Sequence, residues 1–248
     1  MRRTGPGFPA AEDKDGAFAE WTRSAQPGRP VSSRNAIITE IREAIISGQI
    51  PAGQQLKQDE LSALFGVSPA PVREALRQLE SEGLVEHFPN RGAFVVGVSD
   101  EEALQVLLPI RLLLETFAMQ QVASRLDEDL VHELQRQIDV MDAGADTGDI
   151  AMINEADVRF HEQVVEASGS PHTMQLWRSV LPRIRLQFYR LTPRHHDLHD
   201  VTDEHRALLR ALRGGDPADI ADELRVHIVD TSSALLLQQQ GDGARKGR

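Results

Sequence analysis

The sequence predicts a mainly α-helical protein: a winged helix-turn-helix of three helices plus a β-hairpin over residues 31–98, then an all-helical bundle over residues 99–240. Before Val98, helical stripes of apolar residues lead into two short β-type runs, and after it every segment has a helical period. The length of 248 residues also suits two domains. Residues 1–30 and 241–248 have no sustained period, which predicts a disordered arm and a flexible tail.

The first helix of the N-terminal domain is indicated by an apolar stripe that starts at Ile37 and ends at Ile46, with Gly48 and Pro51 behind it as stop signals. A short helix is predicted around residues 60–65, before Gly66. The next helix should begin after Ser68. Ser68 is a good N-cap residue, and Pro69 suits the first helical position.

That helix is predicted to reach about Glu82, with Gly83 as its stop. Two β-type runs follow, residues 84–87 and 93–96, on either side of a turn-forming segment. The order of helix, helix, tight turn, helix and hairpin is the outline of a winged helix-turn-helix. Beyond Val98, helices are predicted near residues 100–124, 127–143, 149–168, 171–190, 200–213 and 217–238.

Composition narrows the class of protein. The absence of cysteine excludes disulfides and thiolate metal sites, and no apolar run approaches the ~20 residues of a membrane span, so we expect a cytoplasmic protein without a membrane partner. Arg2 and Arg3 are not followed by an apolar stretch, so no signal peptide is predicted. The net charge of −11 resides mainly in residues 99–248, at −10, while residues 31–98 carry only −2. Charge therefore neither favours nor excludes DNA binding.

The helix that begins after Ser68 is the expected DNA reader, because the second helix of this motif lies in the major groove. Arg73 is predicted to read a base, since its planar fork can bind guanine O6 and N7 together. Arg77, one turn later, is predicted to meet a phosphate, and Ser68 to cap the helix and bind phosphate. The alternative, that both arginines simply solvate an exposed face, is disfavoured by the preceding turn and the following hairpin.

The wing tip offers a second DNA contact. Asn90, Arg91 and Gly92 lie between the two β-type runs, and Arg91 could enter a neighbouring minor groove or meet the backbone.

Four polar residues occupy inward positions on predicted helices. Asp157 and His161 are four apart on one apolar stripe, and His205 and His227 each fall on a stripe of their own. Burying these groups without partners is costly, and a shared divalent metal removes that conflict. One carboxylate and three imidazoles suit zinc, with nickel or manganese as alternatives. Hydrogen bonds among the same four residues are the other interpretation.

The N-terminal domain resembles the GntR family of bacterial regulators. The resemblance rests on DELS from Asp59, on GVSPAPVREALRQLESEGLV from Gly66 and on PNRGAFV from Pro89. It covers roughly residues 34–97 and implies binding to a double-stranded DNA operator. Members of the family often have Arg-Thr where this chain has Pro69 and Ala70, so one usual DNA contact is missing.

The C-terminal domain resembles the FCD-type ligand domain of the FadR subfamily, over about residues 99–238. The pattern comprises Asp157-x-x-x-His161, Glu204-His205 and His227. This resemblance implies a metal at the four positions and a small organic acid as effector beside it. It further implies that Arg111 pairs with the acid, although a structural pair with Glu115 is the alternative, and that Thr202 lies near the ligand.

The expected function is a DNA-binding transcriptional regulator, either a repressor or an activator, that acts as a homodimer because paired half-sites require one. A purely structural metal on the same fold is one alternative. A metal-dependent hydrolase is the other, but an enzyme is not expected. We find no paired general base, because Glu204 lies about 100° around the helix from His205 and should point away from the metal.

Overall fold

The computed structural model describes residues 14–24 and 33–237. The chain divides into two compact units, with the boundary between Gly97 and Val98. The predicted fold class is confirmed: a small helical unit with a β-hairpin precedes an all-helical unit.

In its described residues, 14–24 and 33–97, the N-terminal unit combines four helices with a small antiparallel sheet. The helices are α1 (Lys14–Ser24), α2 (Arg34–Ile46), α3 (Gln58–Phe65) and α4 (Pro69–Ser81), and the strands are β1 (Gln55–Leu56), β2 (Val85–Phe88) and β3 (Gly92–Val95). The strand order is β1-β3-β2. The hairpin of β2 and β3 was predicted, whereas β1 was not, because two residues are too short to show a β period.

Local sequence explains where the helices of this unit begin and end. Ser33 caps α2 by accepting a hydrogen bond from the Ala36 amide at 3.2 Å. The predicted isoleucine stripe of α2 is buried. Gly66 ends α3 in the left-handed conformation, at φ 65°, which lets α4 start three residues later, at Pro69.

The predicted disordered arm is wrong for part of its length, because Lys14–Ser24 form helix α1. Phe18 and Trp21 lie three residues apart on one face of α1, and both are buried. The Trp21 ring meets Phe65 of α3 edge-on, with centroids 6.4 Å apart. Two aromatic residues are too few to show a helical period, so sequence analysis missed this helix. The rest of the predicted arm and the predicted tail lie outside the described residues, which are 14–24 and 33–237.

The C-terminal unit is a bundle of long helices. After α5 (Asp100–Glu102) and a π-helical segment (Ala103–Leu107), it comprises α6 (Leu108–Ala123), α7 (Glu128–Thr147), α8 (Ile150–Ala167), α9 (Pro171–Leu191), a 3-10 turn (Thr192–Arg194), α10 (His199–Gly214), α11 (Pro217–Arg225) and a second π-helical segment (Val226–Asp230). Residues 231–237 continue as α-helix.

By length and composition alone, the helical stretch Asp100–Ala123 could cross a membrane. In the bundle, however, α6 packs against α8, α9, α10 and α11 and buries an ion pair, Arg111 with Glu115, on its inner face. We therefore describe it as a core helix of this unit.

Contacts at their ends define the relative directions of helices α7, α8 and α10. Gly148, at φ 72°, ends α7 and joins it to α8 in a tight helical hairpin, so these two helices are antiparallel. Helix α10 is also antiparallel to α7, because His199 at its start meets Asp146 and Arg213 at its end meets Glu128. Consequently α8 and α10 run parallel.

Two further contacts fix the directions of α6 and α9 relative to α8. Arg185, near the end of α9, pairs with Glu155 in the first turns of α8. Arg125, just after α6, donates to the carbonyl of Ala167 at 2.8 Å, at the end of α8. The end of α9 therefore lies beside the start of α8, while α6 runs parallel to α8.

Candidate functional site

The four residues predicted as metal ligands converge in the C-terminal unit. Helix α8 carries Asp157 and His161, α10 carries His205, and the second π-helical segment carries His227. All four are buried, and their ligand atoms lie within 4.8 Å of one another. The His161 Nε2 atom lies 3.2 Å from Nε2 of both His205 and His227. Asp157 Oδ1 lies 3.3 Å from His161 Nε2 and 3.5 Å from His205 Nε2.

Each imidazole is held through its other ring nitrogen. His161 Nδ1 lies 2.5 Å from Glu115 Oε2, and His227 Nδ1 lies 2.7 Å from Glu204 Oε2. His205 Nδ1 lies 2.7 Å from the carbonyl oxygen of Val201. Since all three of these partners accept hydrogen bonds, each Nδ1 carries a proton, and in its neutral form each imidazole presents an Nε2 lone pair to the centre. Three lone pairs and a carboxylate oxygen thus face one point.

The buried carboxylates are held in their charged form. Burial raises the pKa of Glu115, but His161 and Arg111 outweigh it and lower the pKa to about 2. Burial likewise raises the pKa of Asp157, and the neighbouring His205 and His161 bring it well below its ordinary value. Both residues are therefore carboxylates at neutral pH.

The imidazoles respond to burial in different ways. Burial lowers the pKa of His227 well below its ordinary value, helped by His205 and His161. Burial, together with Arg111, also lowers the pKa of His161, but Glu115 and Asp157 jointly outweigh them, so the pKa is raised overall. Arg111 Nη2 lies 2.9 Å from His161 Nε2, a hydrogen bond only if that nitrogen is unprotonated. The contact therefore fits the neutral imidazole, whose lone pair a cation would also use.

The donor set fits a divalent metal ion. Asp157 Oδ1 is buried and has no hydrogen-bond partner among the described residues. Around an ion with bonds of ~2.1 Å, neighbouring ligand atoms are roughly 3.0–3.4 Å apart, close to the separations found here. Uncompensated, the Nε2 lone pairs would repel one another. A cation resolves both the orphaned oxygen and that repulsion.

Arg111 reaches the same centre from α6. Its Nε donates to Glu115 Oε1 at 2.7 Å, its Nη2 lies 3.4 Å from His227 Nε2, and its guanidinium lies 4.7 Å from the centroid of the Phe188 ring. Arg111 thus forms the structural ion pair with Glu115 and also borders the centre, while its pairing with an effector acid stays a prediction. Thr202, one turn before His205, is buried, and its hydroxyl has no partner among the described residues.

The contact between Glu204 and His227 was not predicted from the sequence. Glu204 lies outside the converging donors, as expected from its position beside His205, yet it reaches His227 across the bundle and also accepts from Thr231 Oγ1 at 3.1 Å. Burial raises the pKa of Glu204, although His205 and His195 oppose that rise. The adjacency of Glu204 to His205 gave no signal for this, because its partner lies 23 residues further along the chain.

The predicted DNA-reading residues of α4 lie on its solvent face. Val72, Ala75, Leu76 and Leu79 are buried, whereas Arg73 and Arg77 are exposed one turn apart. Ser68 occupies the N-cap position, but its side chain makes none of the predicted capping hydrogen bonds to α4. Its exposed hydroxyl is accordingly unused by the helix.

The predicted wing residues form the turn between β2 and β3. Asn90 has φ 62°, a left-handed conformation that asparagine tolerates, and Gly92 has φ 92°. The Arg91 guanidinium lies 5.7 Å from the Phe88 ring centroid and 5.4 Å from that of Phe94. The two rings therefore support an exposed cation at the tip of the hairpin.

Sequence comparisons agree with the division into two units. Residues 33–95 match the family described as bacterial regulatory proteins, gntR family, and residues 106–230 match the FCD domain. The gluconate operon transcriptional repressor of Bacillus subtilis is 28% identical over 230 residues, covering 90% of this chain and 91% of the relative. A probable D-xylose utilization operon transcriptional repressor of Paenarthrobacter nicotinovorans is 26% identical, covering 79% and 87%.

Solved structures share the fold. A putative GntR transcriptional regulator from a Rhodococcus species superposes with a TM-score of 0.70 at 24% identity, covering 82% of this chain and 97% of that one. Escherichia coli McbR/YncC superposes with a TM-score of 0.69 at 21% identity, covering 84% and 99%.

Proposed function

Because the chain belongs to the GntR family of bacterial regulatory proteins and carries an FCD domain, we propose that it is a cytoplasmic transcriptional repressor whose operator affinity is set by a small organic acid. The acid binds beside a divalent metal held by Asp157, His161, His205 and His227. The observation that carries this proposal is the convergence of three imidazole lone pairs, a buried carboxylate and the Arg111 guanidinium at one point.

In this proposal Arg73 reads a base, while Arg77 and Ser68 bind phosphates. These groups share the exposed face and N-terminal turn of α4. Neither guanidinium has an acidic partner within residues 14–24 and 33–237, so both are available for DNA. Arg91, with Asn90 and Gly92 shaping the turn, contacts the flanking backbone or minor groove.

The residues of the helical bundle have different roles in binding the metal and the acid. Zinc suits the donor set, with nickel and manganese as alternatives, and the ion would supply a Lewis-acidic position for a carboxylate oxygen. Glu115, Glu204 and the Val201 carbonyl orient the imidazoles, which fixes the tautomer that binds metal. Arg111 supplies a cation for the second carboxylate oxygen, and Thr202 supplies a hydroxyl.

Repression is favoured by the relatives, two of which are described as operon repressors. The effector acts by binding one conformation of the protein better than another, so it changes the fraction of chains that bind the operator. All the relatives compared are regulators, which favours a binding function over the hydrolase alternative.

A homodimer is supported by an exposed apolar stripe on the helix through Leu113. Val106, Ile110, Leu113 and Phe117 follow one another at helical spacing, and Leu113 is 71% exposed. From Ala103 to Ala123 the only charged residues are Arg111 and Glu115, both buried. A charge-free apolar face is self-complementary under two-fold symmetry, so a second copy is its proposed occupant.

The test starts from DNA selected out of a random-sequence pool by the full-length protein. Fluorescence anisotropy then gives operator affinity with and without a panel of small organic acids, before and after treatment with a chelator. We expect at least one acid to change the Kd about tenfold or more, to be recovered unconsumed by NMR, and to lose its effect after chelation. A metal-bound protein that responds to no acid would support the structural-metal alternative, and consumption of the acid would support the hydrolase.

A further inference from the structure

Besides Asp157 Oδ1 and Trp177 Nε1, three buried side chains on the helices around the metal centre have polar atoms without hydrogen-bond partners among the described residues. They are Asn154 Nδ2, Gln187 Oε1 and Thr202 Oγ1. None of the three residues is more than 3% exposed. Buried polar atoms nearly always form hydrogen bonds to protein, water or a ligand, so these three atoms indicate a further hydrogen-bonding partner.

All three residues lie on the same side of the centre. Asn154 precedes Asp157 by one turn on α8, and Thr202 precedes His205 by one turn on α10. Because α8 and α10 run parallel, these two turns extend from the metal ligands in the same direction. The end of α9, which carries Gln187, lies beside the start of α8, as the Arg185–Glu155 contact shows.

Arg111 lies on that side as well. It precedes Glu115, the partner of His161, by one turn on α6, which runs parallel to α8. Its guanidinium also covers Phe188, the neighbour of Gln187. Arg111 and the three residues therefore lie on helix turns toward the same end of the metal centre.

The chemistry of these atoms distinguishes among acids. A plain carboxylate only accepts hydrogen bonds, so it can satisfy Asn154 Nδ2 but not Gln187 Oε1, which needs a donor. An ammonium group would donate, but it would lie beside Arg111 and the metal, both positively charged. A hydroxyl donates and accepts without a charge.

We propose that Asn154, Gln187 and Thr202 select hydroxyl groups, so that the effector is a hydroxy acid rather than a plain carboxylic acid or an amino acid. This inference rests on the proposed function, because it assigns the ligand class of that same site. The carboxylate meets Arg111 and the metal, and the hydroxyl groups meet the three side chains.

The experiment uses isothermal titration calorimetry on metal-loaded full-length protein. One set of probes is L-lactate, propionate and L-alanine, which differ only in the group on the second carbon. The other set is D-gluconate and hexanoate, which have equal carbon number. We expect the hydroxy acid of at least one set to bind about tenfold or more tightly than its deoxy counterpart, and alanine to bind more weakly than lactate.

A matched series of variants tests the assignment. Thr202→Val keeps the shape but removes the hydroxyl, and it should reduce the preference for the hydroxy acid while leaving the metal content unchanged. Thr202→Ser should retain the preference. The control is Thr173→Val, at a buried threonine whose hydroxyl already bonds Ser170 Oγ at 2.8 Å; it should also retain the preference.

The outcomes separate this inference from the proposed function. Propionate and hexanoate binding as tightly as their hydroxy counterparts would overturn the inference alone, and so would metal-loaded protein that binds neither hydroxy acid. A preference that survives Thr202→Val, Asn154→Leu and Gln187→Leu would also overturn it. A protein that takes up no metal and binds no acid would contradict the proposed function itself.

Discussion

At the scale of single residues, the centre depends on which nitrogen of each histidine is free. The acceptors Glu115, Glu204 and Val201 O fix the proton on Nδ1, so every Nε2 is a ligand atom. The inward positions of the four candidate ligands could be predicted, because each falls on an apolar helical stripe. Glu204 could not be assigned to His227 from sequence, because that contact depends on how two helices pack.

The role of Glu204 leads to a quantitative prediction. Glu204→Ala removes the acceptor that orients His227, so metal affinity should fall about 10–100-fold. Titration against a competing chelator measures it. Glu204→Gln keeps an acceptor, so its metal affinity should fall by less. Glu162→Gln on α8 serves as a control that should leave metal affinity unchanged. Equal metal affinity in Glu204→Ala and the wild type would contradict the assigned role.

Arg73 and Arg77 should behave differently on DNA. Arg73→Ala should weaken binding to the selected operator about 10–100-fold and relax its sequence preference, because a bidentate base contact is worth ~1–3 kcal/mol. Arg77→Ala should weaken binding to all sequences and reduce the salt slope by about 1. Anisotropy on operator and scrambled duplexes measures both, with Arg159→Ala, an exposed arginine of α8, as the charge-matched control. Unchanged discrimination in Arg73→Ala would refute the base contact.

At the scale of elements, helix starts and stops were predictable where a cap, a proline or a glycine marks them. Gly66, Ser68 and Pro69 delimit the turn between α3 and α4 in both sequence and structure. Helix α1 and strand β1 were missed, because their stability comes from tertiary partners rather than from a local period. The π-helical segment that presents His227 also has no sequence signature.

An ion pair between elements holds α4 against α2. Arg42 donates to both carboxylate oxygens of Glu82, at 2.8 and 2.7 Å. Burial raises the pKa of Glu82, but hydrogen bonds from Arg42 and Gln78 lower it below its ordinary value. A lowered pKa in the folded state means that the pair stabilises the fold above the unfolded pKa of about 4.3 and loses that effect as pH falls through the folded pKa.

Glu82→Gln should therefore destabilise the N-terminal unit at pH 7 by about 0.5–1 kcal/mol, a small value because solvent screens the pair. The difference from the wild type should shrink as the pH is lowered below about 4.3. Hydrogen exchange of peptides from α2 and α4 in the full chain, corrected for intrinsic rates, measures it. Glu80→Gln, at an exposed position on α4, should change neither the stability at pH 7 nor its dependence on pH. A pH-independent difference would argue against the carboxylate as its source.

At the scale of the whole molecule, the division into two units and their classes were predictable from the change of period at Val98. Which side of the helix through Leu113 is exposed could not be predicted, because apolar residues occupy nearly every side of this helix. Only the packed bundle distinguishes the buried half of that helix from the exposed half.

Leu113→Asp should convert the proposed dimer to a monomer, because it places a charge in the centre of the apolar stripe. Sedimentation velocity should show about half the wild-type mass, and operator affinity should fall because one chain engages one half-site. Val140→Asp, at an exposed apolar position on α7, is the matched control and should remain dimeric. A dimeric Leu113→Asp would move the interface elsewhere.

The central claim, that Asp157 and three histidines form a metal centre, is tested most directly by elemental analysis of full-length protein after incubation with zinc, nickel or manganese and removal of free ion. We predict about one ion per chain in the wild type, almost none in His161→Ala, and full occupancy in His199→Ala, whose exposed imidazole lies outside the centre. A folded wild type that retains none of the three metals, or a His161→Ala variant with full occupancy, would contradict the claim.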